Sequence, residues 1–557
     1  MVERKVGTMY RRIALAVSSA LLCALALPNE LFKYGLWPLG FIALAPLYIS
    51  LSSAESHREA ALQGALYGGI HHALTSYWLY FYKGYALWTL GATTLAYAVV
   101  YAAAAMYCSF LLRGSRASRP FWFAVAWAAF EFLKSVGFLG YPWGLIPYSM
   151  TALPLMLQTA DLTGVYGVSA LLACSSGILG EFLRPKALRV PFLHRSALVG
   201  SLCLALALGY GVWRMETPVP VAGSFRALLV QQNTDPWISG EMAALESNLS
   251  LARKAYEADK AAGGKAPDIV VFSETSLRRP YPEFAKWFEQ NPAGSPLLPF
   301  VKESGAHLLT GAPEILDWET YAASNSVLLI DPEGLLLQSY AKIHPVPFAE
   351  AIPLWEFAWF RTFMREVVGL DSGWVMGTKI EVFTLDRPGL SVGGRPGLRF
   401  GAPICFEDAF SDLCRQYVLG GADLLINLTN DSWSRTESAQ IQHWAIARIR
   451  AIELRRTLVR STNSGVTCVT DARGVNIFEL PQFRGESAVV DVPVYKEERL
   501  TLFAEWGDWF AGLAVLLLAI RLIILLYGAH GRWPRESFAE QTGAALRGGR
   551  GKQRRRS

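Results

Sequence analysis

Residues 401–410 read GAPICFEDAF. A single cysteine, Cys405, closes the apolar run LRFGAPI and stands just ahead of two acids. A lone cysteine among apolar neighbours is commonly an inert core residue. A cysteine at the end of a strand is also placed where α/β sheets gather their chemistry. The choice depends on what the rest of the chain supplies.

Outward from this stretch, short apolar runs alternate with helical ones. FRALLVQQN (225–233) reads as a strand, EMAALESNLSLARKAYEADKA (241–261) as a helix and APDIVVFSET (266–275) as a second strand. GAHLLTGAPE, NSVLLIDPEG, ADLLINLTND, TLVRSTNSGVTCVTDARG and ESAVVDVPV are further strand candidates, and IQHWAIARIRAIELRRT is helical. The alternation predicts an α/β or layered α+β domain over residues 222–505, long enough for one large core. No glycine loop for phosphate is present, and no CxxC or Cys/His spacing calls for zinc or another cofactor. The cysteine count is odd, at 7, which argues against a complete disulfide framework.

Three polar residues fall where predicted strands end: Glu274 after DIVVFS, Lys342 after LLLQSYA and Cys405 after LRFGAPI. Singly, each has a bland reading as a turn acid, a surface lysine or a core thiol. Together they are an acyl-transfer set. A carboxylate takes the thiol proton, the thiolate attacks, and an ammonium stabilises thiolate and oxyanion.

The remainder of the chain is apolar. Of its 557 residues 52% are hydrophobic and 18% charged. Segments near 12–28, 36–52, 60–80, 87–112, 120–138, 163–183, 197–214 and 508–527 are candidate spans, at about 20 apolar residues per crossing. The third is the weakest, because it carries His71 and His72. The first also fits a secretory signal ending at Ala24-Leu25-Ala26. Arg4, Lys5, Arg11 and Arg12 precede the first span. Arg113, Arg116 and Arg119 follow the fourth, and Arg184, Lys186, Arg189 and Arg195 follow the sixth. The alternate loops are poor in basic residues, with Lys33 in the first and Lys83 in the second. The positive-inside rule puts the basic loops in the cytoplasm and residues 215–507 outside it. The expected division is a membrane domain over 1–215, a catalytic domain over 222–505, and a final helix with a basic cytoplasmic tail over 506–557. That tail, RGGRGKQRRRS, fits membrane-side anchoring better than nucleic-acid binding. Glu131 and Lys134 interrupt the fifth span three residues apart, a spacing that predicts a pair on one helix face.

With these residues in place, the sequence resembles the nitrilase superfamily. DIVVFSETSL, SYAKIHPVPFAE and GAPICFED match its glutamate, lysine and cysteine motifs, and the spans resemble its membrane-embedded branch, the apolipoprotein N-acyltransferases. The resemblance implies a polytopic helical membrane domain joined to an αββα sandwich. It implies Cys405 as nucleophile, Glu274 as general base and Lys342 as oxyanion stabiliser. Glu350 and Glu407 match supporting acids, Phe406 follows the nucleophile and offers its N–H, and Asn430 and Trp433 wall the pocket. Ser273, Ala349, Phe406 and Ser434 stand where the family more often has proline, glycine, tyrosine and an aromatic, which touches pocket shape more than reaction class.

The implied reaction moves an acyl chain from a phospholipid, through a Cys405 thioester, to the amino terminus of a diacylglyceryl-modified lipoprotein at the bacterial inner membrane, on its periplasmic side. The aromatic segment IPLWEFAWFRTFMREVVGL (352–370) is expected to face the membrane as a lid, the alternative being a helix of the soluble core. Cys414 is expected to be structural. Two other readings use the same residues: a membrane-tethered amide hydrolase, and a transporter with a soluble binding domain.

Overall fold

The computed structural model describes residues 2–82, 87–113, 118–186, 189–191, 193–234, 236–281, 283–371, 373–496 and 499–530. The basic tail, Lys83 and Arg116 lie outside the described residues. The strands are β1 (Val221–Gln231), β2 (Ile269–Val271), β3 (His307–Asp317), β4 (Ala322–Ile330), β5 (Leu336–Ala341), β6 (Val382–Leu385), β7 (Ser391–Val392), β8 (Arg395–Pro396), β9 (Leu398–Gly401), β10 (Leu424–Thr429), β11 (Leu458–Thr462), β12 (Cys468–Thr470), β13 (Asn476–Glu479) and β14 (Glu486–Tyr495). They build two six-stranded sheets, ordered β14-β1-β2-β3-β4-β5 and β13-β12-β11-β10-β9-β6, with β7 and β8 as a separate ribbon. Each sheet has a parallel centre, β1-β2-β3 in one and β9-β10-β11 in the other, flanked by antiparallel strands.

Side-chain alternation sets the layers. Leu229, Val271, Leu309 and Leu329 share a core with Phe400, Ile426, Leu428 and Val459 of the facing sheet. Their neighbours Leu228, Val270, Leu308 and Leu328 point the other way, onto Leu245, Leu249, Phe300 and Val301. Those four come from helices Glu241–Ala261 and Leu297–Ser304. Strands buried on both faces need apolar residues at every position, which is why runs such as DIVVF do not alternate. Helices Ser411–Leu419 and Glu437–Leu454 pack against the second sheet, completing the αββα order.

Helix Glu437–Leu454 joins the two halves of the molecule. Thr436 caps its start, accepting from the Ala439 N–H at 3.4 Å, and its residues 438–454 are all buried. The far side is covered by the membrane bundle. Gln442 donates to the Pro28 carbonyl at 2.8 Å and accepts from the Trp78 and Trp143 indoles at 3.0 Å each. Glu453 accepts the Val165 N–H at 3.1 Å. Just past the helix end, Arg455 forks onto Asp161 at 2.7 and 2.9 Å and reaches Gln158 at 2.7 Å.

Helices occupy all eight places where the sequence suggests spans. Met9–Ala26, Leu87–Arg113, Val165–Leu183, Leu193–Glu216 and Trp509–Tyr527 are long and apolar enough to cross a membrane. The other three fall short alone. Trp37–Ser53 is interrupted by a turn over 41–44, His57–Thr75 carries Gln63 and both histidines, and Arg119–Leu133 has 15 residues. These three lie against longer helices. His57–Thr75 approaches Thr93–Arg113 so closely that a Cβ on Gly64 would stand 2.4 Å from the Tyr101 carbonyl oxygen. Small residues permit such contact between helices where water supplies no drive to associate.

The two ends of the bundle differ. At one, Arg12 pairs with Glu59 at 2.7 Å and Glu55 at 3.0 Å, and Arg119 and Arg184 meet Glu181 at 3.0 and 3.7 Å. The other end carries the sandwich, through Pro28, Trp78, Trp143 and Asp161. The expected Glu131–Lys134 pair is not formed. Glu131 accepts from Ser169 at 2.6 Å and the Ile146 N–H at 2.8 Å, whereas Lys134 donates to the Trp143 carbonyl at 2.6 Å. Lys134 caps the helix C-terminus rather than continuing it, so its side chain reaches forward over the following loop. The two charges fix the same 143–146 return from opposite sides.

Candidate active site

Glu274 leaves β2 into a sharp turn, with Thr275 at φ 52°. The turn rests on β3 at Gly311, where a Cβ would stand 2.8 Å from the Glu274 Cα and 2.4 Å from the Thr275 nitrogen. Lys342 follows β5 directly, its N–H donating to the Asn325 carbonyl of β4 at 2.9 Å. Cys405 opens the turn Cys405–Ala409 at φ 50°, a left-handed conformation that L-residues rarely adopt. Its neighbours over-determine that backbone. Asn427 donates to the Cys405 and Pro403 carbonyls at 3.2 and 3.1 Å. Such strain is typical of reactive positions.

The strand ends converge. Lys342 Nζ lies 2.8 Å from Glu350 Oε1 and 3.5 Å from Glu274 Oε1. Asn325 Nδ2 bridges the same two carboxylates, at 2.8 Å from Glu274 and 3.3 Å from Glu350. The second oxygen of Glu274 accepts the Asn430 N–H at 2.9 Å, and that of Glu350 accepts the Val346 N–H at 2.8 Å. Every carboxylate oxygen in the group therefore has a donor. Lys342, Glu274 and Cys405 are 1%, 6% and 8% exposed, so water does little to screen their charges.

The electrostatics follow. Burial pushes the Cys405 thiol well above the ordinary cysteine range, the Glu274 charge raises it further, and Lys342 opposes both. Burial also raises Glu274, against the pull of Lys342. Burial disfavours the Lys342 ammonium, but Glu350 and Glu274 more than offset this and hold it above the usual lysine range. A thiol and a carboxyl both raised, sharing one fixed cation, suit proton transfer from one to the other.

Glu407 works one layer behind. It accepts from the Ile343 and His344 N–H groups at 2.7 and 2.9 Å, from Tyr340 at 2.8 Å and from the Ile404 N–H at 2.8 Å. One side chain thus ties the lysine loop to the cysteine turn. Phe406 stacks on Trp143 of the bundle at 5.9 Å, and Trp433 lies 5.4 Å from both Trp78 and Tyr82. Part of the site wall is accordingly made by the membrane half. Ser273 donates to Gln232 Oε1 at 3.0 Å, filling its place with a hydrogen bond. Cys414 is fully buried, its thiol against the Glu407 and Asp408 carbonyls at 3.8 and 3.9 Å.

Helix Ala358–Phe363 and its continuation Met364–Val368 stand apart from the sandwich core. Met364, Val368 and Ile352 form their own cluster with Trp88 of the bundle, while Phe357, Trp359 and Phe363 are exposed. The sequence reading missed Asn325, whose polar side chain within β4 has no signature of its own. It also passed over His443, Asp408, Asp431 and Arg460, which form a charged cluster behind the cysteine turn. The four come from a turn, a loop, a helix and a strand, so nothing in their spacing points to the cluster.

Comparison with known proteins agrees with this architecture. The family profile "Apolipoprotein N-acyltransferase N-terminal domain" matches residues 19–178, and "Carbon-nitrogen hydrolase" matches residues 226–497. Apolipoprotein N-acyltransferase 2 of Treponema denticola is 36% identical over 520 residues, covering 91% of this chain and 96% of its own. The Treponema pallidum protein of the same name is 36% identical over 528 residues, covering 90% and 93%. Among solved structures, Saccharomyces cerevisiae Nit3, a nitrilase-superfamily member, aligns with 49% of this chain and 91% of its own at 18% identity and a TM-score of 0.32. The chain belongs to the apolipoprotein N-acyltransferase family.

Proposed function

We propose that this protein transfers a fatty acyl chain from a phospholipid to the terminal amine of a diacylglyceryl-modified lipoprotein, through a thioester on Cys405. The observation that carries the reading is the buried Glu274–Lys342–Glu350 group, whose charges bear on the Cys405 thiol, in a site walled partly by membrane-bundle aromatics. Glu274 takes the Cys405 proton as sulfur attacks the ester carbonyl. The Lys342 ammonium and the Phe406 N–H face the oxyanion. Collapse breaks the ester C–O bond, and Glu274 returns the proton to the departing lysophospholipid oxygen. The lipoprotein amine then attacks the thioester, Glu274 takes its proton, and the C–S bond breaks to leave an amide. The Cys405 thiolate recovers the proton from Glu274. Glu350 and Asn325 keep Lys342 and Glu274 in register throughout, while Asn430 and Trp433 shape the pocket.

Both substrates are held in a bilayer, which gives the bundle its purpose. In this reading residues 1–215 and 506–557 anchor the catalytic residues 222–505 at the membrane surface. Basic groups gather at the end of the bundle away from the sandwich, and by the positive-inside rule that end is cytoplasmic. The catalytic half then lies on the periplasmic side of the bacterial inner membrane. The exposed Phe357, Trp359 and Phe363 would meet headgroups and help exclude water, which would otherwise hydrolyse the thioester.

The test pairs a phospholipid bearing an alkyne-tagged acyl chain with a synthetic diacylated lipopeptide. The expected product is amide-linked, tagged, triacylated lipopeptide. Tagged free fatty acid with the lipopeptide unchanged would replace this reading with a hydrolase.

A further inference from the structure

Behind the cysteine turn lies a charged cluster that the acyl-transfer steps do not use. His443, from the buried seam helix, is 3% exposed. Its Nε2 lies 3.0 Å from Asp408 Oδ1, and its Nδ1 lies 2.9 and 3.1 Å from the two oxygens of Asp431. A neutral imidazole has one donor and one acceptor nitrogen. Its acceptor would face a carboxylate, lone pair against lone pair. With both carboxylates ionised, both contacts are satisfied together only when both nitrogens carry protons. Arg460, fully buried on β11, donates to Asp408 and stands 3.7 Å from Asp431. Two carboxylates and two cations give a cluster of net charge zero.

The placement matters for the reaction. Asp408 sits three residues after Cys405, on the same turn. Asp431 follows Asn430, whose N–H holds Glu274. His443 therefore spans the turn that carries the nucleophile and the loop that holds the base. Its ring also lies 5.4 Å from Trp143, the bundle residue stacked on Phe406. The groups that bear on the Cys405 thiol are Glu274, Lys342, Glu350 and Asp431. Those that bear on His443 are Asp431, Asp408 and Arg460.

We propose that His443 is a fixed imidazolium which, with Arg460, neutralises Asp408 and Asp431 and so keeps Cys405 acidic enough to be deprotonated, making it a positioning and charge-setting residue of the acyl-transfer site. His443 touches neither substrate nor sulfur. It acts by cancelling negative charge that would hold the proton on the thiol, and by pinning the cysteine turn to the Asn430 loop.

The test reads the thiol directly. Full-length protein in detergent is alkylated with iodoacetamide across a pH series, and the rate at the Cys405 peptide is followed by mass spectrometry. His443→Gln leaves the cluster with one uncancelled negative charge. Between pH 6.5 and about 8, where His443 is charged in the unsubstituted protein, the variant's alkylation rate is expected to be about tenfold lower, a gap that closes above about pH 9 as His443 loses its proton. Adding Asp431→Asn to that variant should restore the rate in that window, and Asp431→Asn alone should raise it above the wild type. The single Asp431 variant keeps the test decisive if His443→Gln does not fold. A rate lowered by the same factor at every pH in His443→Gln, or no rise in Asp431→Asn, would overturn the proposal and leave His443 a purely structural residue. The proposal rests on Cys405 as the nucleophile. The assay contains no lipid, so the expected rate pattern in a protein that never forms a thioester would contradict the acyl-transfer reading and spare the role given to His443.

Discussion

Among the described residues, Lys342 is the one cation paired with both Glu274 and Glu350, and it is almost fully buried. Replacing it with methionine keeps the volume but leaves two carboxylates facing each other without a counter-charge. Acyl transfer should fall by about 100-fold or more. Lys342→Arg should recover little, because a planar fork does not fit a point-charge site. Steady-state assays of both variants check this, and near-normal activity in Lys342→Met would remove the lysine from the mechanism. His443 makes a pH prediction at the same scale. Burial works against its charge, but Asp431 and Asp408 raise it from 6.5 to about 9. A raised folded-state value gives stability that is complete below pH 6.5 and lost as pH rises through about 9. The loss is about 3 kcal/mol. Thermal melts across that window should fall in the wild type and flatten in His443→Gln. At this scale the meeting of Glu274 and Lys342 was legible, because polar residues stood at the ends of apolar runs. Asn325 and His443 were not, because their roles come from partners 51 and 35 residues away, Glu274 and Asp408.

Elements are joined here by few, fully engaged side chains. Glu407 gathers three backbone N–H groups and one hydroxyl from the lysine loop and the cysteine turn. Glu407→Ala would leave those buried donors unpaired, at about 1–3 kcal/mol each. The expected result is a clear drop in melting temperature together with lost activity, and partial recovery of both in Glu407→Gln, which keeps an acceptor oxygen. At the seam, Arg455→Lys gives up the fork on Asp161 and the bonds to Gln158, while Arg214 still pairs with Asp161 at 3.0 Å. Melts in detergent should show destabilisation of about 1–3 kcal/mol. The apolar runs announced most strands and all eight helical segments. The histidines already marked 60–80 as the weakest span, but the runs did not show the break at 41–44 or the early end at Leu133, which rest on local backbone geometry. The Glu131–Lys134 spacing pointed to a pair for a similar reason. Three residues apart means one face only while the helix continues, and it ends at Leu133.

Among the described residues, Arg12, Arg119 and Arg184 lie at one end of the bundle and the sandwich sits at the other. The orientation proposed from this makes the β3–β4 hairpin periplasmic. A cysteine placed at the exposed Trp318 should react with a membrane-impermeant maleimide in intact spheroplasts, above the background of the unsubstituted chain. Reaction only after lysis would reverse the topology. The two halves share one purpose in this account, to bring a strained, buried thiol to lipids that never leave the bilayer. Intact mass of the protein purified from membranes, beside Cys405→Ala, tests that most directly. A fatty-acyl increment on the unsubstituted protein alone, released by hydroxylamine, is the predicted result. An unmodified Cys405 after incubation with phospholipid, or the same increment on Cys405→Ala, would contradict the central claim.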